Sequence, residues 1–559
     1  QGSNSLPDST PRHRGFFYPM TALSRFDLAK PLGLIARQWT NAFRLGSWLL
    51  CLTAGVSGKL AAEPSQQNVL FILTDNQPAS ILGAYGNPDV ATPHIDQLAR
   101  EGVRFTRAYA ANGMCSPTRA TLLTGLMPSQ HGIHSWLDDA LLSQWPEGWS
   151  AVAEFRSLPL TLKNRGYRTA MIGKWHLGKP DRASLGFQHW VTFTDGHTVD
   201  FWNNTVIENG SRYPVQGQHL VDFFTDKALE YLEAHEGSAP FYLQLNYDGP
   251  YLNPPTNLGP ARNRFYPDYV GRRFDSFPRV AFNQNQVDQL MDPDNDNAFI
   301  KGKLLQSLQM HNDPETMANV ASQNTLVDDG VGRVLTALEE LGLAENTLVI
   351  FSSDQGNFYG QHGLWQHTVV TKPSSPYETP MNVPLIIRAP QGQSAGGTSH
   401  LLIGQYDIAP TILDLLGFAD IRFANSPGRS FGFAMRGGDN TNWADAVFFE
   451  QEETRVIRTE RYAYWKRLAT TGEPALFDMQ EDPGQLRNLA ADPALQTVLA
   501  NLDRRIDAFF NRYADPQYDL WQGGFAKGSV DRPEVYRALY GPDWRPTTPV
   551  LPAFEEPQR

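Results

Sequence analysis

The residue types and spacing most suggestive of chemistry lie in Met114-Cys115-Ser116-Pro117-Thr118-Arg119, which runs on through an apolar-patterned segment to Thr124-Gly125. A proline followed by such a run and a closing glycine predicts a helix that begins at or just after Cys115. Free amides and the helix dipole favour an anion at that end. Arg119, one turn on, adds positive charge. A thiolate there would be activated, so Cys115 is a candidate nucleophile. Only three residues separate Cys115 from Arg119, too few for the loop of a cysteine phosphatase.

Such a group needs a scaffold. Continuous apolar runs end on polar residues at Val69–Asp75, Thr169–Lys174, Phe241–Asn246, Leu348–Asp354 and Val383–Arg388. Runs of this kind, rather than alternating ones, suit strands of a sheet covered on both faces. Between them, Leu220, Phe223, Phe224, Ala228, Leu229 and Leu232 form one helical stripe, and a second runs from Leu326 to Leu341 and ends at Gly342. The alternation predicts an α/β fold with a large, mostly parallel sheet sandwiched by helices. Ligands then gather beyond the carboxyl ends of the strands, which here carry Asp75, Lys174, Asp248 and Asp354.

From about 250 to 318 the periodicity fails and Asn, Asp, Pro and Arg dominate, which reads as a long insertion packed over a site. Its arginines, Arg262, Arg264, Arg272, Arg273 and Arg279, fit either a solvated loop or an anion-binding lid. After about 430, short strands at Ala446–Phe449, Thr454–Arg458 and Tyr462–Trp465 suit a small antiparallel sheet, with a helix near 494–512. The expected division is therefore 1–62, 65–430 and 431–559.

The first segment reads as an export signal behind an upstream extension. Four basic residues between Arg25 and Arg44 precede the mostly apolar Leu45–Gly58 and the small residues Ala61-Ala62, where cleavage is expected. The composition, 41% hydrophobic and 19% charged in 559 residues, is that of a folded globular protein. A net charge of −12 speaks against nucleic-acid binding. Two cysteines, Cys51 and Cys115, exclude a disulfide framework and a Cys-rich zinc site. Cys51 falls inside the signal, which leaves Cys115.

Cys115-Ser-Pro-Thr-Arg119 resembles the C-x-P-x-R signature of type I sulfatases, members of the alkaline phosphatase-like superfamily. The surrounding elements strengthen the resemblance: Asp75 after the first strand, Thr92-Pro93-His94-Ile95-Asp96, Gly173-Lys174-Trp175-His176, Ser353-Asp354-Gln355-Gly356, and Lys372 ahead of Tyr377-Glu378 stand in the family's order. The resemblance implies that a formylglycine-generating enzyme converts Cys115 to formylglycine. One oxygen of the hydrated aldehyde attacks sulfur as the alcohol leaves. Deprotonation of the second hydroxyl then expels sulfate, a step no serine or cysteine could perform. His176 is the implied base, since imidazole titrates near neutral pH. Lys174 and Lys372 would hold the sulfate oxygens, and Arg119 would orient the diol.

By the same resemblance the metal ligands are Asp75, Asn76, Asp354 and Gln355. All are hard oxygen donors, which points to calcium, or else magnesium, rather than zinc. The family more often has Asp-Asp at the first pair and Asp-Asn or Asp-His at the second, so Asn76 and Gln355 are departures, and the site loses negative charge. Asp248 stands where the family usually has a leaving-group histidine. It is expected to act as an acid of raised pKa, as a partner for a lysine, or as a contact to a cationic substrate group. His197 and His367 are candidates to replace the missing histidine at the substrate.

The function implied is an exported, periplasmic or secreted sulfatase that hydrolyses a sulfate monoester of a small molecule or saccharide. A phosphodiesterase or phosphonate monoester hydrolase on the same fold is the alternative, and a catalytically inactive binding protein is a third reading motivated by Asn76, Asp248 and Gln355.

Overall fold

Asn68–Thr74 is a run of seven buried residues, and it forms β1 near the centre of a ten-stranded sheet. In the computed structural model the described residues are 66–137, 145–194, 198, 200–251, 262–293, 298–390, 396–438, 441–468, 471–546 and 552–555. The export segment, Cys51 and His197 lie outside them. The sheet also contains β2 (Val103–Tyr109), β3 (Arg168–Gly173), β4 (His189–Phe193), β5 (Asn203–Glu208), β6 (Ser211–Gln216), β7 (Phe241–Asn246) and β8 (Thr347–Ser353). A two-stranded ribbon follows, β9 (Phe358–Tyr359) with β10 (Trp365–Gln366), before β11 (Asn382–Arg388) and β12 (Gly397–Gly404) complete the large sheet.

The spatial order is β12-β2-β11-β8-β1-β7-β3-β4-β5-β6. Its middle, β8-β1-β7-β3, is parallel throughout, with Thr74 level with Ser353, and Leu73 and Gly173 both level with Asn246. Four strands therefore end side by side. Alternate residues of β1 serve two cores: Val69, Phe71 and Leu73 pack on one face with Ala120 and Leu122, and Leu70 and Ile72 pack on the other with Ile95, Leu98, Leu326 and Val331. Covering both faces is why the strand is continuously apolar. The sheet is mixed, because β11 and the pair β5 and β6 run antiparallel to their neighbours.

The small sheet is antiparallel, in the order β13 (Ala446–Gln451), β14 (Thr454–Thr459), β15 (Tyr462–Arg467), β16 (Ala475–Asp478). One face packs on the helix Gln496–Tyr513, where Ile457 and Tyr464 of the sheet meet Leu502, Ile506 and Phe510 of the helix. The other joins the main core, where Phe449 stacks on Tyr109.

The segment 250–318 departs from the expectation of an irregular insertion. It contains the helices Gln284–Met291 and Ala298–Met310 and the first turn of Pro314–Glu340. Periodicity misses Ala298–Met310 because its apolar residues surround it: Leu304 is buried while Leu305 and Leu308 are about half exposed. The arginines are surface groups. Arg262 pairs with Glu315, Arg264 with Asp222 and Asp329, and Arg273 with Asp275, which fits a solvated segment.

Candidate active site at the strand ends

Cys115 is the first residue of the helix Cys115–Thr124, every residue of which is buried. Met114 precedes it in extended conformation, and Gly125 closes the helix at φ 69°, a left-handed turn that glycine adopts without strain. The helix N-terminus faces the ends of β1 and β8. Cys115 Sγ lies 3.5 Å from Asp75 Oδ1 and 3.4 Å from Gln355 Nε2.

Each neighbour owes its place to a strand. Asp75 and Asn76 follow β1, and Asp354 and Gln355 follow β8. The Asp354 amide extends the ladder to the Thr74 carbonyl at 3.0 Å, and the Asp75 amide donates to the Gly249 carbonyl beyond β7 at 3.1 Å. Lys174 and His176 follow β3. Gly173, at φ 115°, lets this strand end approach the Asn246 backbone where a Cβ would collide, and the Lys174 amide donates to the Asn246 carbonyl at 2.8 Å. Asn76 and His176, each just past a strand end, hold positive φ without being glycine, as do several residues away from the site.

The charges are cross-connected. Lys174 Nζ bonds Asp75 Oδ2, while Arg119 engages Asp354 Oδ2 through Nε at 3.0 Å and Nη2 at 2.8 Å. Burial pushes the Asp75 carboxyl up, but Lys174 and Arg119 outweigh it and hold it below its ordinary value. For Asp354, burial and the Asp75 carboxylate prevail over Arg119 and push it up. Lys174 and Arg119 are penalised by burial, yet their carboxylate partners keep both more firmly protonated than usual.

The Cys115 thiol departs from the activated thiolate expected at a helix N-terminus. Burial, followed by the Asp75 charge, pushes it well up and outweighs Lys174 and Arg119. As a plain thiol it stays protonated. The chemistry of this position therefore does not follow from thiolate activation.

Asp248, two residues past β7, is buried, and neither carboxylate oxygen has a hydrogen-bond partner. Burial pushes its pKa up to about 7, with Lys174 opposing and Asp75 adding. Lys174 bonds Asp75 instead, so of the three expectations the raised-pKa acid fits best. Tyr251, next along, lays its ring 4.7 Å from Lys174 Nζ.

A divalent cation suits the donor set. Oxygens of Asp75 and Asp354 and Cys115 Sγ lie within 4.8 Å of one another. Gln355 Oε1 is buried without a hydrogen-bond partner, and Gln355 Nε2 donates to Asn76 Oδ1 at 2.6 Å. The longer Gln355 side chain thus stays at the centre. His176 is buried, its Nε2 3.2 Å from the Leu137 carbonyl. His367 is buried just after β10, beside Thr368, whose hydroxyl donates to the Gly113 carbonyl at 3.1 Å.

Lys372 is not brought to this cluster. It is exposed and lines a cavity of about 290 Å³ with Glu453, Arg532 and Glu534. Residues that sequence reasoning missed include Tyr251 and Asn246, whose Nδ2 donates to the Lys174 carbonyl at 3.0 Å. Asn246 reads from the sequence only as the end of a strand, and Tyr251 lies three residues past Asp248 without a pattern of its own.

The arrangement, an anion-favouring helix end ringed by strand-end carboxylates and cations, is that of an alkaline phosphatase-like hydrolase. The sulfatase family matches residues 67–418, and the C-terminal region of the N-sulphoglucosamine sulphohydrolase family matches 360–512. An N-acetylglucosamine-6-O-sulfatase of Bacteroides thetaiotaomicron is 28% identical over 552 residues, which covers 86% of this chain and 94% of the relative. A solved structure in complex with its substrate D-glucosamine-2-N,6-O-disulfate has TM-score 0.62 and 23% identity over 81% of this chain and 99% of that one. Phosphonate monoester hydrolase of Agrobacterium radiobacter has the same TM-score and identity over 80% and 96%. At those identities the two structures speak for the fold alone. The chain belongs to the sulfatase family and is a sulfatase.

Proposed function

We propose that the protein is an exported sulfatase that hydrolyses a sulfate monoester of a saccharide, with formylglycine formed from Cys115 by a formylglycine-generating enzyme. The observation that carries this reading is the meeting of Asp75, Arg119, Lys174, Asp354 and Gln355 around a cysteine at a buried helix N-terminus. The saccharide is suggested by the relative that is an N-acetylglucosamine-6-O-sulfatase. Residues 65–430 would form the catalytic part and 431–559 a C-terminal subdomain.

Asp75, Asn76, Asp354 and Gln355 would hold calcium or magnesium, which supplies positive charge to an anionic ester and to the attacking oxygen. Hydrated formylglycine would supply the nucleophilic oxygen and the second hydroxyl whose deprotonation frees sulfate. Arg119, fixed by Asp354 and by the Lys174 carbonyl at 3.1 Å, orients position 115. Lys174 presents a charge that is already desolvated, so little reorganisation is needed when an ester oxygen arrives. His176 takes the hydroxyl proton. Asp248, which its raised pKa of about 7 keeps partly protonated at neutral pH, donates to the departing alcohol in place of a histidine.

Mass spectrometry of the Cys115 peptide, from active protein made in a host able to modify it, tests the reading. An aldehyde or its hydrate at position 115 is expected, and fully active protein with an unmodified thiol would overturn the mechanism. Rates on matched aryl sulfate and phosphodiester substrates address the alternative, and a clear preference for the diester would sink the sulfate monoester assignment.

A further inference from the structure

Arg119 and Lys174 already face Asp354 and Asp75, so holding sulfate, a dianion once released, needs further positive charge. The sequence offered Lys372 for that role, and the structure leaves it exposed elsewhere. A different lysine approaches from the insertion.

The helix Ala298–Met310 is fastened over the site by its own residues. Ser307 Oγ bonds the Trp365 carbonyl at 3.2 Å and Gln286 Oε1 at 3.2 Å. Gln366 Nε2 donates to the Lys303 carbonyl at 2.8 Å. Leu304 is fully buried in a cluster that contains Met114, the residue before Cys115, together with Val369 and Val370. Lys303 stands between these anchors, one turn before Ser307, and so shares the helix face that meets the ribbon. The ribbon leads into His367 and Thr368, and Thr368 bonds the Gly113 carbonyl. The same wall therefore reaches the Cys115 segment from two directions.

We propose that Lys303, delivered by the insertion helix, is a sulfate-binding residue of the active site and takes the part that sequence order gives to Lys372. The proposal rests on the reading of the Cys115 centre as the place where the sulfate ester binds. Two further properties of Lys303 agree with it. The side chain is half-buried, burial pushes its pKa down to about 8, and it lies close enough to Cys115 to be electrostatically coupled to it. A partly desolvated cation near position 115 gains when an anion such as sulfate binds beside it.

The test is calorimetric titration of the calcium-saturated full chain with inorganic sulfate, alongside KM and kcat on an aryl sulfate. Lys303→Met should weaken sulfate binding by about tenfold or more, the loss of one charge-assisted hydrogen bond, and raise KM more than it lowers kcat. Lys303→Arg should recover most of the affinity. Lys301→Met, on the same helix, should bind sulfate like the parent. Lys303→Gln serves as a second variant should methionine unsettle the helix. Affinity within twofold of the parent in folded Lys303→Met or Lys303→Gln would overturn the proposal, as would an equal loss in Lys301→Met. A parent protein that binds sulfate yet turns over no sulfate ester would defeat the reading of function, while the ratio of affinities would still decide the case of Lys303.

Discussion

Two walls face Cys115, and they are built on different principles. One is the row of strand ends β8-β1-β7-β3, where each functional residue sits one to three positions past a strand whose register is fixed by buried backbone hydrogen bonds. The other is the insertion helix and the β9-β10 ribbon, held by a few side-chain bonds from Ser307, Gln286 and Gln366. The first wall cannot move a residue without breaking the core of the molecule. The second has no strand register to fix it: Leu304 anchors it in an apolar cluster, and the aim of its side chains depends on a few hydrogen bonds, each worth about 1 kcal/mol. Chemistry that must be invariant sits on the first, and the contact we assign to the substrate's anionic group sits on the second.

The largest effect expected is on the first wall at its centre. Cys115→Ala should reduce sulfatase turnover to background while the protein stays folded, since alanine fits the buried helix start. Steady-state rates with an aryl sulfate check it. Residual activity comparable to the parent would mean that the strand-end wall, without position 115, carries the reaction.

Lys174→Met should follow. It leaves Asp75 buried with its main partner gone, and breaking such a pair costs about 3–5 kcal/mol. Asp75 is held below its ordinary value, so its pairing stabilises the fold above about pH 4 and is lost as pH falls through the lowered value. Urea denaturation in chelator should show the parent and Lys174→Met converging at low pH and separating at neutral pH. Added calcium should narrow the neutral gap if Asp75 is a ligand.

Asp248 has the opposite sign. Its carboxyl is raised to about 7 in the fold, against about 4 in an unfolded chain. Its cost to stability is therefore absent below about pH 4, grows through the interval, and is complete above pH 7. Asp248→Asn should stabilise the chelated protein at pH 8 by up to roughly 4 kcal/mol, from three units at 1.36 kcal/mol each, and change little at pH 4. The same variant should lose activity most with poor leaving groups. A uniform loss across leaving groups would remove the proton-donor role.

The difference between the walls also explains what could be read from the sequence. Asp75, Lys174, Asp248 and Asp354 were legible because a buried parallel strand announces itself as an unbroken apolar run, and the residue after the run is at the site by topology. Cys115 was legible from Pro117, Arg119 and Gly125, which mark a helix start and stop. Its protonation was not, because burial depends on what packs around the helix end. Lys303 gave no signal: its helix is apolar on several sides, and its position depends on hydrogen bonds to Trp365 and Gln366, more than fifty residues away in sequence. Order along the chain instead pointed to Lys372, which tertiary structure carries to the surface.

Ser307→Ala gives the finest test of the contrast. Ser307 is fully buried, and its hydroxyl is what ties the insertion helix to the Trp365 carbonyl. Removing it leaves that acceptor unpaired, at about 1 kcal/mol, partly offset by the better helix propensity of alanine. The strand-end wall shares none of these bonds. Global stability and kcat should therefore stay close to the parent, while KM for a sulfate ester rises about twofold to threefold as Lys303 loses its fixed approach. A change in kcat with KM constant would show instead that the insertion helix is coupled to the nucleophile, and the two walls would then have to be treated as one.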